Sequence, residues 1–306
     1  MARTRYAPDR GLTSRMVLTM FLLGLVYVVF VGAFFVIVPQ WGVVVLAIAV
    51  LILLAQYYFS DKLALFAMHG REVSPEEAPE LHGVIDRICA LADAPKPRVA
   101  IADTDVPNAF ATGRNQKNAV VCVTTGLLRR LETPELEGVL AHEMAHVAHR
   151  DVTVMTIASF LGLVAGLLTR FGLEMGFWGG FGDRDRDDDN GLPVWLVVVL
   201  VSAVAYGISF VLTRALSRYR ELSADRSAAL LTGRPSELAS ALTKVTGEIA
   251  RIPTNDLRAA EPFNAFYFAP AFTKGFSIAH LFSTHPTLDQ RLDQLNKISA
   301  QLSRGV

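Results

Sequence analysis

A run of 23 residues without a single charge, 16–38, constrains this chain more than any other feature. At about 1.5 Å per residue, a helix of that length crosses the roughly 30 Å hydrocarbon core of a bilayer. A second uncharged run, 41–59, follows after only Pro39 and Gln40, so the two read as a transmembrane hairpin over 16–59. The apolar part of the first run is too long for a secretory signal and no small-residue cleavage site follows it, so it is expected to stay in the mature protein. Arg3, Arg5, Arg10 and Arg15 mark residues 1–15 as a cytoplasmic tail, since basic residues near span ends stay inside. Two further uncharged runs, 152–169 and 192–213, flank a loop at 171–191 that holds seven consecutive acidic or basic residues from Asp183 to Asp189. Arg214, Arg218 and Arg220 return the end of the last run to the inside, which places that loop outside. The 152–169 run is shorter and carries Thr153, Thr156 and Ser159, so a buried soluble helix is its competing reading.

Between the two pairs of runs lies Ala141-His142-Glu143-Met144-Ala145-His146. On a helix, residues four apart share a face, so the imidazoles of His142 and His146 can reach one ion. Glu143, one position round, is badly placed as a ligand and well placed to take a proton from a water whose acidity that ion has raised. Thr133 and Pro134 read as N-cap and first helical residue, and Leu136, Val139, Leu140 and Val147 give the helix an apolar stripe. The competing reading, a solvated charged face, fits that stripe poorly.

Upstream, Ser74-Pro75-Glu76-Glu77 has capping-box spacing and begins an amphipathic helix that ends near Ala92, before Pro95 and Pro97. Residues 98–102 read as a strand. Residues 108–113 and 119–123 read as a hairpin around a polar turn at 114–118. An edge strand of this kind, carrying Asn108, Ala109, Phe110, Ala111 and Thr112, could hold an extended peptide by main-chain hydrogen bonds, or be structural only. A catalytic zinc needs a third protein ligand and an open position. Glu221 follows the last apolar run, and Asp225, four residues on, lies on the same face to accept the second ring N–H of a ligating histidine. Counted along their helices, His146 and Glu221 lie roughly 9 and 12 Å from the neighbouring runs, on the same side.

The chain is 52 % hydrophobic and 19 % charged, too apolar for an ordinary soluble domain. Its net charge is zero and it carries no nucleic-acid motif. Its two cysteines, Cys89 and Cys122, form no C-x-x-C pair and read as buried thiols in a reducing compartment, with a single disulfide the competing reading. The spans 16–38, 41–59 and 192–213 hold no charged residue of the kind a transport pathway usually shows. Residues 235–249 and 287–302 read as helices, with Arg291 an internal tether in the second. The aromatic-rich segment 261–282 suits a membrane interface, a substrate groove or a local core.

His142-Glu143-Met144-Ala145-His146, the segment Glu221 to Asp225, Asn108-Ala109-Phe110-Ala111-Thr112-Gly113 and Ser283-Thr284-His285-Pro286 together resemble the HtpX-type membrane zinc endopeptidases, relatives of the CaaX prenyl protease. The resemblance spans nearly the whole chain. It implies a gluzincin-like core with one Zn2+ per chain and a role in clearing misfolded or damaged membrane proteins in the plasma (inner) membrane of a prokaryote. It also implies that His285 lies near the active site and stabilises the oxyanion, although from its own surroundings a structural histidine fits as well. The expected protein is mainly α and membrane-integral: four transmembrane helices and a cytoplasmic α+β zincin-like metalloprotease domain with a small hairpin or sheet, assembled from 60–151 and 214–306. Both termini and the site face the cytoplasm, and the partners are polypeptides and the lipid bilayer, without nucleic acid. The rival is a membrane adaptor with a structural zinc and no hydrolytic activity.

Overall fold

The computed structural model of the protein describes residues 9–37, 42–151, 194–249 and 285–304, together with helical positions 154–155, 160, 162, 164–166, 168–170 and 173–174. Half of the 152–169 run, all of the 171–191 loop but residues 173 and 174, and the aromatic segment 261–282 lie outside the described residues. The chain divides into two compact units, one of Met1–Leu12, Tyr58–Thr153 and Ser217–Val306, the other of Thr13–Tyr57 and Val154–Leu216.

The second unit is helical. It holds most of α1 (Arg10–Ile37), α2 (Gly42–Tyr58) and the first half of α7 (Val194–Thr232), named here in chain order. Leu23, Phe30, Ala165 and Ala205 form a small buried cluster, whereas Phe21, Val28, Leu51 and Val211 point outward, each more than 60 % exposed. An exterior this apolar suits lipid as the solvent. Two helices are long and apolar enough to cross a membrane, Arg10–Ala33 and Trp195–Thr232, and a third if Leu46–Tyr58 is counted with the short helix after it. Four spans are therefore not seen among the described residues. α1 begins at Arg10, where the Asp9 carboxylate accepts the Leu12 N–H at 2.8 Å and caps the helix.

The first unit contains α3 (Ser60–Ala67), β1 (Gly70–Glu72), α4 (Pro79–Ala92), β2 (Arg98–Ala102), β3 (Ala109–Thr112), β4 (Val120–Thr124), α5 (Thr125–Leu128), α6 (Thr133–Ala148), the end of α7, α8 (Pro235–Ile249) and α9 (Leu288–Ser303). Its sheet has the order β1-β2-β4-β3. β2 and β4 run parallel, and the outer pairs are antiparallel. All five residues of β4 are buried, as a strand covered on both faces must be. Val99, Ala109, Val121 and Val123 face a core shared with Ile85, Ile88, Val139, Leu140, Leu238, Leu242 and Leu295. Ala100, Ala102, Phe110, Val120 and Cys122 face the other way, against Ala64, Leu65 and Met68.

The hairpin β3–β4 forms as the pattern suggests. Gly113 turns it with φ +128°, where a side chain would run into the Asn118 carbonyl. Three local readings shift. Ser74 to Glu77 closes a turn of its own, with the Ser74 N–H donating to Glu77 at 2.8 Å. The helix starts only at Pro79, since a residue before proline is driven away from helical geometry. The N-cap of α6 is Glu132 rather than Thr133, its N–H donating to Glu135 at 3.0 Å. Finally, β1 joins the sheet unannounced, because a three-residue edge strand with exposed Arg71 and Glu72 shows no alternation to read.

Candidate metal centre

The site is built on two helices. Along α6, Val139, Leu140 and Ala141 are fully buried, so the turn that carries His142, Glu143 and His146 is drawn into the core with them. The long helix α7 brings Glu221 and Asp225 into the same unit. His142 is 1 % exposed, Glu143 and Glu221 5 %, His146 6 % and Asp225 0 %.

The two histidines turn their Nε2 atoms toward each other, 3.2 Å apart, with the rings perpendicular. Glu221 approaches both, one oxygen 3.5 Å from His142 Nε2 and the other 3.4 Å from His146 Nε2. Ligand atoms of His142, His146 and Glu221 all lie within 4.8 Å of one another. Each imidazole is fixed from behind. His142 Nδ1 lies 2.9 Å from Asp225, and His146 Nδ1 lies 2.7 Å from Asp151. A carboxylate only accepts, so each Nδ1 carries its proton; in the neutral imidazole, the form that binds a metal, Nε2 then holds the lone pair, directed at the common point. Two lone pairs and a carboxylate converging on one place make a donor set for a cation.

An arginine anchors each supporting carboxylate. Arg291, from α9, grips Asp225 with Nε at 2.7 Å and Nη2 at 2.6 Å, a bidentate pair buried on both sides. Arg220 lies 3.1 Å from Asp151. Asp151 reaches its place because Arg150 adopts a left-handed conformation, φ +59°, which ends α6 and folds the chain back onto His146.

The electrostatics are those of a pocket built around positive charge. Burial alone would lower the His146 imidazole, but hydrogen bonds to Asp151 and Glu221 outweigh it and hold the group at about 10. His142 is likewise raised, burial being overcome by Asp225 and Glu221. Glu221 moves the other way: despite burial, His285 and the two site histidines keep its carboxyl well below the usual range. Glu143 alone among these carboxylates is pushed up, by burial first, with the charges of His142 and His146 offsetting only part of it. One Glu143 oxygen accepts the Ala111 N–H at 3.0 Å.

Each residue singled out by sequence has a definite position. His142, His146, Glu221 and Asp225 come together, with Glu143 beside them, and His285 Nδ1 is 3.1 Å from Glu221. The side chains of Asn108, just before β3, and of Ala109, Phe110 and Thr112 on it are buried and that of Ala111 is half-buried, so the strand offers mainly backbone there. Since Ala111 turns its N–H toward Glu143, away from β4, the carbonyls of Ala111 and Ala109 also leave the sheet at this edge. Asp151 and Arg220 also belong to the site, and the sequence marks neither for that role. Asp151 stands five residues past His146, a spacing with no helical meaning, and only the left-handed Arg150 makes it a neighbour.

A buried H-E-x-x-H turn with a glutamate from a second helix, beside an edge strand and joined in one chain to apolar helices, defines a membrane metalloprotease. The chain belongs to peptidase family M48, whose model matches residues 75–299. It is 62 % identical over 303 residues to protease HtpX homolog 1 of Streptomyces coelicolor, covering 99 % of this chain and 98 % of that protein. A protease HtpX homolog of Moorella thermoacetica is 51 % identical, covering 98 % of each chain. Protease HtpX homolog 2 of Methanosarcina mazei is 49 % identical, covering 98 % of this chain and all of its own. In fold, the chain is similar to the crystal structure of S. mikatae Ste24p, with a TM-score of 0.51 at 18 % identity over 94 % of this chain and 67 % of that one.

Proposed function

We propose that the protein is a zinc-dependent endopeptidase that cleaves misfolded or damaged membrane proteins at the cytoplasmic face of a prokaryotic plasma membrane. One observation carries the reading: the buried carboxylate with the raised pKa, Glu143, bonds the outward N–H of the edge strand, so a proton acceptor and a peptide-binding edge meet at one point. His142 Nε2, His146 Nε2 and Glu221 would hold the ion. Bound there, zinc supplies Lewis acidity, making a water more acidic and polarising the scissile carbonyl.

The chain's own groups do the rest. An extended peptide adds to β3 through the outward backbone groups of Ala109 and Ala111, which recognises main chain and leaves sequence largely unread. Glu143 takes the proton of the attacking water and passes it to the leaving amine. Asp225 and Asp151 keep the Nδ1 protons in place throughout. His285 would donate to the developing oxyanion, a role supported by its nearness to Glu221. The runs 16–38, 41–59, 152–169 and 192–213 serve as four spans with both termini inside, a reading supported by the arginines at 3, 5, 10, 15, 214, 218 and 220.

The test is cleavage of an unfolded protein by the detergent-purified, zinc-loaded full chain, beside a Glu143→Gln variant with zinc content measured in both. Cleavage by the parent and zinc without cleavage in the variant support the proposal. Bound zinc with no cleavage by either chain overturns it in favour of a structural-zinc adaptor.

A further inference from the structure

The short helix α3 carries a surface that the metal centre does not use. One side is buried: Ala64 is 1 % exposed and packs with Leu65 and Met68 against Ala100, Ala102, Phe110 and Cys122 of the sheet. The other side is bare. Phe66 is 82 % exposed, Leu63 53 %, and Tyr58 and Phe59, just before the helix, 53 % and 51 %. Phe59, Leu63 and Phe66 recur at i, i+4 and i+7, so they form one stripe rather than scattered exposures.

Two features say what covers this stripe. Cations stack on its aromatic rings: Lys62 Nζ is 5.9 Å from the Phe59 ring centre and Arg114 Cζ is 5.4 Å from that of Tyr58. Aromatic rings with cations beside them are the residue types that favour the boundary between headgroups and acyl chains. The chain also enters α3 directly from the uncharged helix α2, where Val43, Leu51 and Leu54 are exposed in turn. Two features bar α3 itself from the hydrocarbon interior. At about 1.5 Å per residue its eight residues reach roughly 12 Å, far less than a span. Its first turn carries Asp61, paired with Arg98, which in turn pairs with Glu72.

We propose that α3 is an interfacial foot: Tyr58, Phe59, Leu63 and Phe66 rest in the headgroup–acyl boundary of the bilayer, and Lys62 and Arg114 meet its anionic phosphates. The foot is tied to the peptide-binding edge. Phe110 of β3 packs under Ala64 and Leu65, and Arg114, in the turn that follows β3, donates to the Tyr58 carbonyl at 3.2 Å. Lipid contact at α3 therefore fixes the height of β3, and of the N–H that meets Glu143, above the bilayer.

Spin labels test this on the full chain in vesicles of phosphatidylethanolamine and phosphatidylglycerol. Leu63→Cys and Phe66→Cys are labelled one at a time, with Cys89 and Cys122 replaced by alanine. Glu80→Cys serves as an aqueous reference and Leu51→Cys as a deep one. Accessibility to oxygen and to a water-soluble nickel complex is expected to place both α3 labels roughly 5–10 Å below the headgroup surface. Values matching Glu80→Cys overturn the proposal, as do values matching Leu51→Cys, which would make α3 part of a span. Spectral broadening that disappears on dilution with unlabelled protein also overturns it, because a second copy would then cover the stripe. No readout depends on catalysis, so failure of the foot and failure of the protease reading are seen separately.

Discussion

Helix α6 buries glutamates at both ends, and the two ends treat them in opposite ways. Glu135, in the first turn, is 3 % exposed, and Glu143, in the third, is 5 % exposed. Around Glu135 the fold supplies Lys244 at 2.7 Å, Ser240 at 2.6 Å and the Glu132 N–H at 3.0 Å. Burial works against the Glu135 carboxylate, but these partners win and hold its pKa below the usual range. Glu143 receives one backbone N–H and faces a second carboxylate, Glu221, so burial wins and its pKa rises. Residue type and helix are shared, so the surroundings, depth and neighbours together, separate a carboxylate that holds two helices together from one kept reactive.

Removing the reactive carboxylate is the strongest way to break this comparison. Glu143→Gln is expected to lower peptide cleavage by about 10²–10⁴-fold, the usual worth of a general base, while bound zinc stays at the parental level. In the metal-free protein the same variant is expected to melt higher than the parent at neutral pH, because it replaces a buried carboxylate whose partners only partly offset its burial by a neutral amide. Calorimetry in detergent, run beside the cleavage assay, checks both.

Next in size are the groups behind the imidazoles. Asp225→Asn and Asp151→Asn leave His142 and His146 in place but loosen their orientation, and each is expected to weaken zinc binding by about 10–100-fold. Arg291→Lys keeps the charge and loses the two-pronged grip on Asp225, so its loss should be nearer the lower end of that range. Titration with a zinc chelator measures all three. Cleavage by Arg291→Lys should recover when zinc is raised, an outcome that a defect in the base could not produce.

Legibility in the sequence followed the length scale of each feature. His142, Glu143 and His146 sit on one turn, and Glu221 with Asp225 on another, so helical spacing was enough to group each set. Their meeting across two helices rested on counting from the apolar runs. The hairpin was legible because Gly113 and the polar turn separate two short apolar strands. Asp151 was not, since its nearness to His146 depends on a left-handed Arg150 that no periodicity marks. Arg220 hides beside Glu221 as one more arginine after an apolar helix, and its role exists only once Asp151 has folded back. The turn at Ser74 misled for a related reason: its local hydrogen bonds are those of a helix start, but Pro79 imposes the boundary.

The smallest effect gives the finest test of the two ends, because it turns on sign. Glu135→Gln should leave zinc content and cleavage unchanged and cost about 1–2 kcal/mol of stability at neutral pH through weakened bonds to Lys244 and Ser240. The folded Glu135 pKa lies below the unfolded value of about 4.3, so its contribution is fully present above that pH and is lost as pH falls through the folded pKa. The gap between parent and Glu135→Gln should therefore close in acid. For Glu143, with its folded pKa above the unfolded one, ionisation of the folded chain is the costly step, so the parent gains relative to Glu143→Gln as pH falls. Hydrogen exchange of α6 amides in the metal-free chain, followed from about pH 7 to about pH 3, should show the advantage of the parent over Glu135→Gln holding until the unfolded pKa is reached and shrinking below it. Over the same range its deficit against Glu143→Gln should shrink as well. Parallel slopes for the two pairs would mean that the glutamates share one environment, and the distinction between a structural and a reactive end of α6 would fall.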